Sequence, residues 1–121
     1  MNQTSKISRK RADEYFHKKP ENMNCAQAIL KAFEKEFNIS EQKIAEYKAY
    51  GGGRAENGLC GALFSAKKLL SKDEYERLES KFLAEFGSVD CTELKEMQYS
   101  CKKIVSFVDG LVDEILLEQK S

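Results

Sequence analysis

Four cysteines, Cys25, Cys60, Cys91 and Cys101, are the residues of this 121-residue chain best suited to chemistry. A thiolate attacks disulfides and binds soft metal ions, and a set of four holds zinc or an iron–sulfur cluster. The second cysteine has an unusual setting. The stretch AYGGGRAENGLCGAL, residues 49–63, carries Gly51, Gly52, Gly53, Gly58 and Gly61, five of the seven glycines in the chain. Glycine loses more backbone freedom on folding than any other residue. So many of them beside one cysteine exceed what a turn between helices requires, and they would let backbone N–H groups approach its sulfur closely.

Other chemistry is less well supported. The glycine-rich stretch lacks the Gly-Lys-Ser/Thr ending of a phosphate-binding loop, and no strand precedes it. Arg54 reads as an exposed loop residue. His17, the single histidine, falls at the end of the first helix beside Lys18 and Lys19, where a cation compensates the helix dipole. There is no Cys-x-x-Cys pair of the kind that marks zinc ribbons and thioredoxin-like sites.

The remaining composition bounds the setting. Twenty basic and twenty acidic residues cancel, which gives no general pull toward nucleic acid or an anionic membrane. The charge is uneven: residues 1–19 are basic and the segment from Asp109 onward is acidic, which reads as two solvated helix faces of opposite sign. The amino terminus has no apolar run resembling a signal peptide, and no stretch is long enough to span a bilayer. The expectation is a cytoplasmic protein with no membrane insertion, in a compartment that keeps thiols reduced.

The elements that must position the cysteines are helices. With one proline and few β-branched runs, strands are poorly supported, and apolar residues recur at helical spacing. Ile7, Ala12, Tyr15 and Phe16 form a first sparse stripe. Ala26, Ile29, Leu30, Phe33 and Phe37 form a second, with Asn24 as N-cap. A short helix follows Ser40 with Ile44 and Tyr47. Leu59, Ala62, Leu63, Ala66, Leu69 and Leu70 mark a fourth. Ser71 and Glu74 make a capping box for a fifth, which buries Tyr75, Leu78, Phe82 and Phe86 and stops at Gly87. A segment of one or two turns begins at Cys91. The last helix, capped by Ser100, puts Ile104, Val105, Val108, Leu111, Val112, Ile115 and Leu116 on one face, and Gly110 inside it reads as a close helix–helix contact. The fold class predicted is all-α, a compact single-domain bundle of about five to six helices spanning residues 1–121.

On this map every cysteine falls at or near a helix N-terminus, where unsatisfied N–H groups and the equivalent of about half a positive charge favour a thiolate. Four such ends meeting at one place would suit several negative sulfurs, with Cys60, open among its glycines, the most reactive. Spacing alone leaves a second reading, in which the cysteines are scattered small hydrophobes of the core.

The segments NCAQAIL, GGG followed by CGAL, DCTELK and SCKKIV together resemble the C-GCAxxG-C-C family of redox-active proteins, over about residues 20–117. Cys25, Cys60, Cys91 and Cys101 match the family's four cysteines. Gly51, Gly52 and Gly53 match its glycine-rich approach, and Gly61 and Ala62 match its Cys-Gly-Ala-x-x-Gly motif. Ser65 stands where that motif has its last glycine. The resemblance implies a small helical cytoplasmic protein with a redox or metal role. The functions that follow are an iron–sulfur or other thiophilic metal site for electron transfer or sensing, a thiol–disulfide switch or oxidoreductase without metal, or a helical interaction domain. The cofactor is then an iron–sulfur cluster, zinc or none. An unidentified redox protein is the expected partner, nucleic acid is not, and oligomerisation is left open.

Overall fold

The computed structural model of the chain describes residues 11–17, 22–50, 55 and 58–120. Gly51, Gly52, Gly53 and Arg54 lie outside the described residues, as does Ile7 of the first stripe. Seven helices follow one another among the described residues: α1 (Ala12–Tyr15), α2 (Cys25–Ala32), α3 (Glu41–Glu46), α4 (Gly61–Leu69), α5 (Lys72–Phe86), α6 (Cys91–Glu96) and α7 (Cys101–Lys120). A 3-10 turn, Tyr47–Tyr50, continues α3. No strand occurs among the described residues, only isolated bridges between Phe16 and Met23 and between Leu59 and Asp90.

The helix ends are set by local side-chain chemistry. The Oδ1 of Asn24 accepts the Gln27 N–H at 2.8 Å while the Gln27 side chain accepts the Asn24 N–H at 3.1 Å, so two orphan donors of α2 are satisfied reciprocally. Ser71 and Glu74 do the same for α5, and Gly87 ends that helix at φ +83°. Asp90 caps α6, and Ser100 caps α7 through the Lys103 N–H at 2.9 Å. Two helices are shorter than the apolar stripes predict. In α2 the Glu34 N–H turns to the Lys31 carbonyl, which tightens the last turn, and Asn38 at φ +55° reverses the chain. Phe37 therefore packs edge-on to Phe33 from a turn rather than from the helix. The first helix keeps four residues, and α6 brings the count above the five to six expected.

α7 forms the spine. Val105, Val108 and Val112 are fully buried, as are Ile29 of α2, Leu63 of α4 and Leu78 and Phe82 of α5. The acidic face expected on α7 is only partly solvated. Glu114 and Glu118 make exposed pairs with Lys81 and Arg77 of α5, while Asp109 is fully buried against the start of α1. No helix among the described residues is long and apolar enough to cross a membrane.

Gly110 does not mark a close helix–helix contact. A Cβ built there meets nothing nearer than the Arg11 guanidinium at 3.9 Å, ordinary van der Waals distance. With room for a methyl group, only the entropic cost of a glycine inside a helix remains. Gly110→Ala is therefore expected to raise stability by about 0.5–1 kcal/mol, read as a higher urea midpoint at unchanged slope. A loss of stability would mean that the position is packed after all.

Candidate functional site

All four cysteines line one cavity of about 140 Å³, together with Phe16, His17, Asn24, Leu94, Lys95, Tyr99 and Ile104. Each arrives at a helix start. Cys25, Cys91 and Cys101 are the first residues of α2, α6 and α7, and Cys60 is the N-cap of α4, one residue earlier than the sequence pattern places it. None is in a disulfide. Cys25, Cys60 and Cys91 are buried, and Cys101 is the most accessible.

The convergence has local causes. α4 can start against α2 because Gly61 has no side chain: a Cβ there would stand 2.5 Å from the Cys25 Sγ and 3.3 Å from the Ala26 nitrogen. One turn further on, the Ser65 hydroxyl donates to the Ala26 carbonyl at 2.7 Å, fully buried. Ser65, where the family motif has glycine, thus faces the first turn of α2 and is not a wall of the cavity.

Cys60 is joined to the third cysteine by a strand-like pairing. Its N–H donates to the Val89 carbonyl at 2.9 Å, and Leu59 bridges to Asp90, the cap of the helix that Cys91 begins. Gly58 makes room for this with φ +72°, and a Cβ on it would stand 2.9 Å from the Asp90 Oδ2. The chain then returns from α6 through Gln98 at φ +68°, with the Tyr99 N–H on the Leu94 carbonyl, and starts α7 at Cys101 beside the same cavity. Asn24 closes the arrangement by donating through Nδ2 to the Lys48 carbonyl at 2.9 Å.

Burial outweighs the helix ends in the metal-free site. The Cys60 thiol is pushed up to about 12, first by burial and next by Cys25 beside it, while the N–H groups of Leu63 and Ala62 work in the opposite direction. Cys91 is also raised, by burial first. Lys95 pulls it back, and Cys101 and Asp90 push it further up. The expectation that Cys60 is the most reactive thiol is thereby corrected. Its glycine neighbours bring protein backbone and the Cys25 sulfur close, not solvent, and only 5% of Cys60 is exposed.

Sequence reasoning set His17 aside as a helix-end cation and did not single out Phe16, Lys95 or Tyr99. His17 stands at the cavity with its ring stacked on Phe16 at a centroid distance of 3.9 Å. Among the described residues that line the space there is no carboxylate, and its soft donors are four sulfurs and one imidazole. Among the described residues no group of three or more His, Cys, Asp and Glu side chains is arranged to hold a metal ion.

In the metal-free reduced protein, competitive alkylation is expected to label Cys101 first and Cys60 last. With its proton held to about 12, Cys60 is roughly one part in ten thousand thiolate at pH 8. Its labelling should still be climbing above pH 10, whereas a plateau near pH 9 would contradict the burial effect.

No curated protein and no solved structure matches the chain. The profile described as "Putative redox-active protein (C_GCAxxG_C_C)" matches residues 23–115, from just before Cys25 to near the end of α7. With that match covering most of the sequence and all four cysteines gathered on one cavity, the chain belongs to the C_GCAxxG_C_C family of redox-active proteins.

Proposed function

We propose that the four cysteines act as one redox site that holds an iron–sulfur cluster for electron transfer or sensing. The observation that carries this reading is the space itself: four thiols from four helix starts line a cavity of about 140 Å³, with no carboxylate among the described residues of its walls. Soft thiolates select iron–sulfur clusters, zinc and copper(I) over hard cations. A cavity of about 140 Å³ leaves room for an occupant bulkier than a single zinc ion, which needs its ligands gathered at one point. A bound cluster would supply one-electron exchange.

The chain's own residues supply the rest. Gly61 and the Cys60–Val89 pairing hold the sulfurs in mutual reach. Phe16, Leu94, Tyr99 and Ile104 keep water from the buried side. The helix starts, the N–H groups of Ala62 and Leu63 and the Lys95 ammonium favour the deprotonated sulfurs that metal binding demands. The proposal places the protein in the cytoplasm, where thiols stay reduced, with a redox protein as its partner.

One observation favours a second reading. Accessible Cys101 neighbours buried Cys91, and their charges interact. These two could close a disulfide, passing two electrons and two protons to an external disulfide that leaves as two thiols. This switch needs one cysteine pair and no metal.

Anaerobic reconstitution with iron and sulfide separates the two. The cluster reading expects visible absorption with iron and sulfide bound in similar amounts, and each of Cys25→Ser, Cys60→Ser, Cys91→Ser and Cys101→Ser losing most of both. Colourless protein whose Cys91 and Cys101 become oxidised as a pair, with Cys25→Ser and Cys60→Ser tolerated, would favour the switch. Metal content unchanged in any one variant would remove that residue from the site.

A further inference from the structure

One wall of the cysteine cavity is set from a distant part of the chain. Phe16 and His17 follow directly on α1, and four residues are far too few to sustain a helix alone. Something else must hold α1 in place. Asp109, in the middle of α7, is a fully buried carboxylate. Its Oδ2 accepts the Ala12 N–H at 2.7 Å, and its Oδ1 pairs with the Arg11 Nη1 at 3.2 Å. The same guanidinium donates through Nη2 to the Ser106 carbonyl at 2.9 Å. The start of α1 is thus fixed to α7 by one charged contact, buried at Asp109 and partly exposed at Arg11.

The other end of the wall is fixed to α2. The His17 N–H donates to the Met23 carbonyl at 2.8 Å, two residues before Cys25. His17 adopts φ +53°, a conformation that a residue with a side chain holds only when its surroundings impose it. The stack of its ring on Phe16, with planes 19° apart, is part of that imposition. Asp109 is not a wall of the cavity, and its contacts with Ala12 and Arg11 connect it through α1 to the wall that Phe16 and His17 form.

We infer that Asp109 is a positioning residue for the cysteine site: by anchoring α1 to α7 it holds Phe16 and His17 against the cavity and thereby controls access to the buried thiols. The inference rests on the shared cavity of the proposed redox site but not on what fills it. A buried ion pair is a costly way to fill core volume, since apolar residues of similar size often stabilise as much or more. What this one provides is a defined attachment for a segment too short to dock by itself.

The test is alkylation of the metal-free reduced protein, resolved by cysteine, so its outcome does not depend on whether a cluster binds. Asp109→Ala is expected to speed labelling of Cys25, Cys60 and Cys91 by about tenfold or more, the scale of losing a hydrogen bond to a charged group. Cys101 should change much less. Asp109→Asn, which keeps an acceptor for the Ala12 N–H, should give a smaller rise. Phe16→Ala should open the same three thiols, and adding Asp109→Ala to it should then change little, because both act on one wall. If Asp109→Ala unfolds the chain, Arg11→Gln carries the same comparison at the partly exposed end of the contact. Labelling of the three thiols that stays at wild-type rates in the folded variants would overturn the inference. So would a rise of all four thiols in proportion to lost global stability, or independent effects of Asp109→Ala and Phe16→Ala.

Discussion

Two helices can bring their first turns together only where no side chain stands between them. Gly61 meets that condition for α4 on α2, and most of the site geometry depends on it. A single Cβ would come within 2.5 Å of the Cys25 sulfur, well inside van der Waals contact. Ser65, one turn along the same face, is fully buried there and donates a hydrogen bond to the Ala26 carbonyl. With α4 seated, Cys60 lies beside Cys25, its N–H meets the Val89 carbonyl, and α6 and α7 begin around the same space. The four sulfurs share a cavity because a short chain of backbone contacts leads from one helix start to the next.

The electrostatics of that cavity are a contest between two effects. Helix starts and backbone N–H groups favour negative sulfur, whereas burial disfavours any charge. In the metal-free protein burial wins at Cys60, by enough to keep the thiol protonated far above neutral pH. A buried thiol of this kind is a poor nucleophile. On the proposed reading a positive ion would replace that proton, and the N–H groups of Ala62 and Leu63 at Cys60 and the Lys95 ammonium at Cys91 would favour the thiolates with it. Cys60 is thus better suited to holding a charged group than to attacking a substrate, while the switch reading calls only on Cys91 and the accessible Cys101.

Much of this was legible in the sequence, and for one reason: caps are local. Asn24, Asp90 and Ser100 stand directly before Cys25, Cys91 and Cys101, so the position of those three at helix starts follows from adjacent residues, whereas α4 has no side-chain cap at Cys60. The features that were not legible depend on distant ones. Gly110 and Gly61 look alike in sequence, yet a Cβ would meet only the Arg11 guanidinium at ordinary contact distance at one and a sulfur at 2.5 Å at the other. The acids of α7 read as a solvated face, but Asp109 meets Ala12, 97 residues away. His17 reads as a helix-end cation because nothing near it in sequence shows that the chain folds back along Met23 to reach the cavity. The glycine triplet that drew attention to this region lies outside the described residues, and its part in the site rests on sequence alone.

The dependence of the site on one missing side chain can be measured by comparing two identical changes. Gly61→Ala inserts a methyl group where there is no room, a strain of about 1–3 kcal/mol. Gly110→Ala inserts the same group where there is room. Both variants should remain helical. After anaerobic reconstitution, wild type and Gly110→Ala are expected to bind iron and sulfide alike, and Gly61→Ala to bind little of either. Binding by Gly61→Ala at the wild-type level would contradict the claim that the contact between α4 and α2 builds the site, and absence of binding in wild type would contradict the cluster itself.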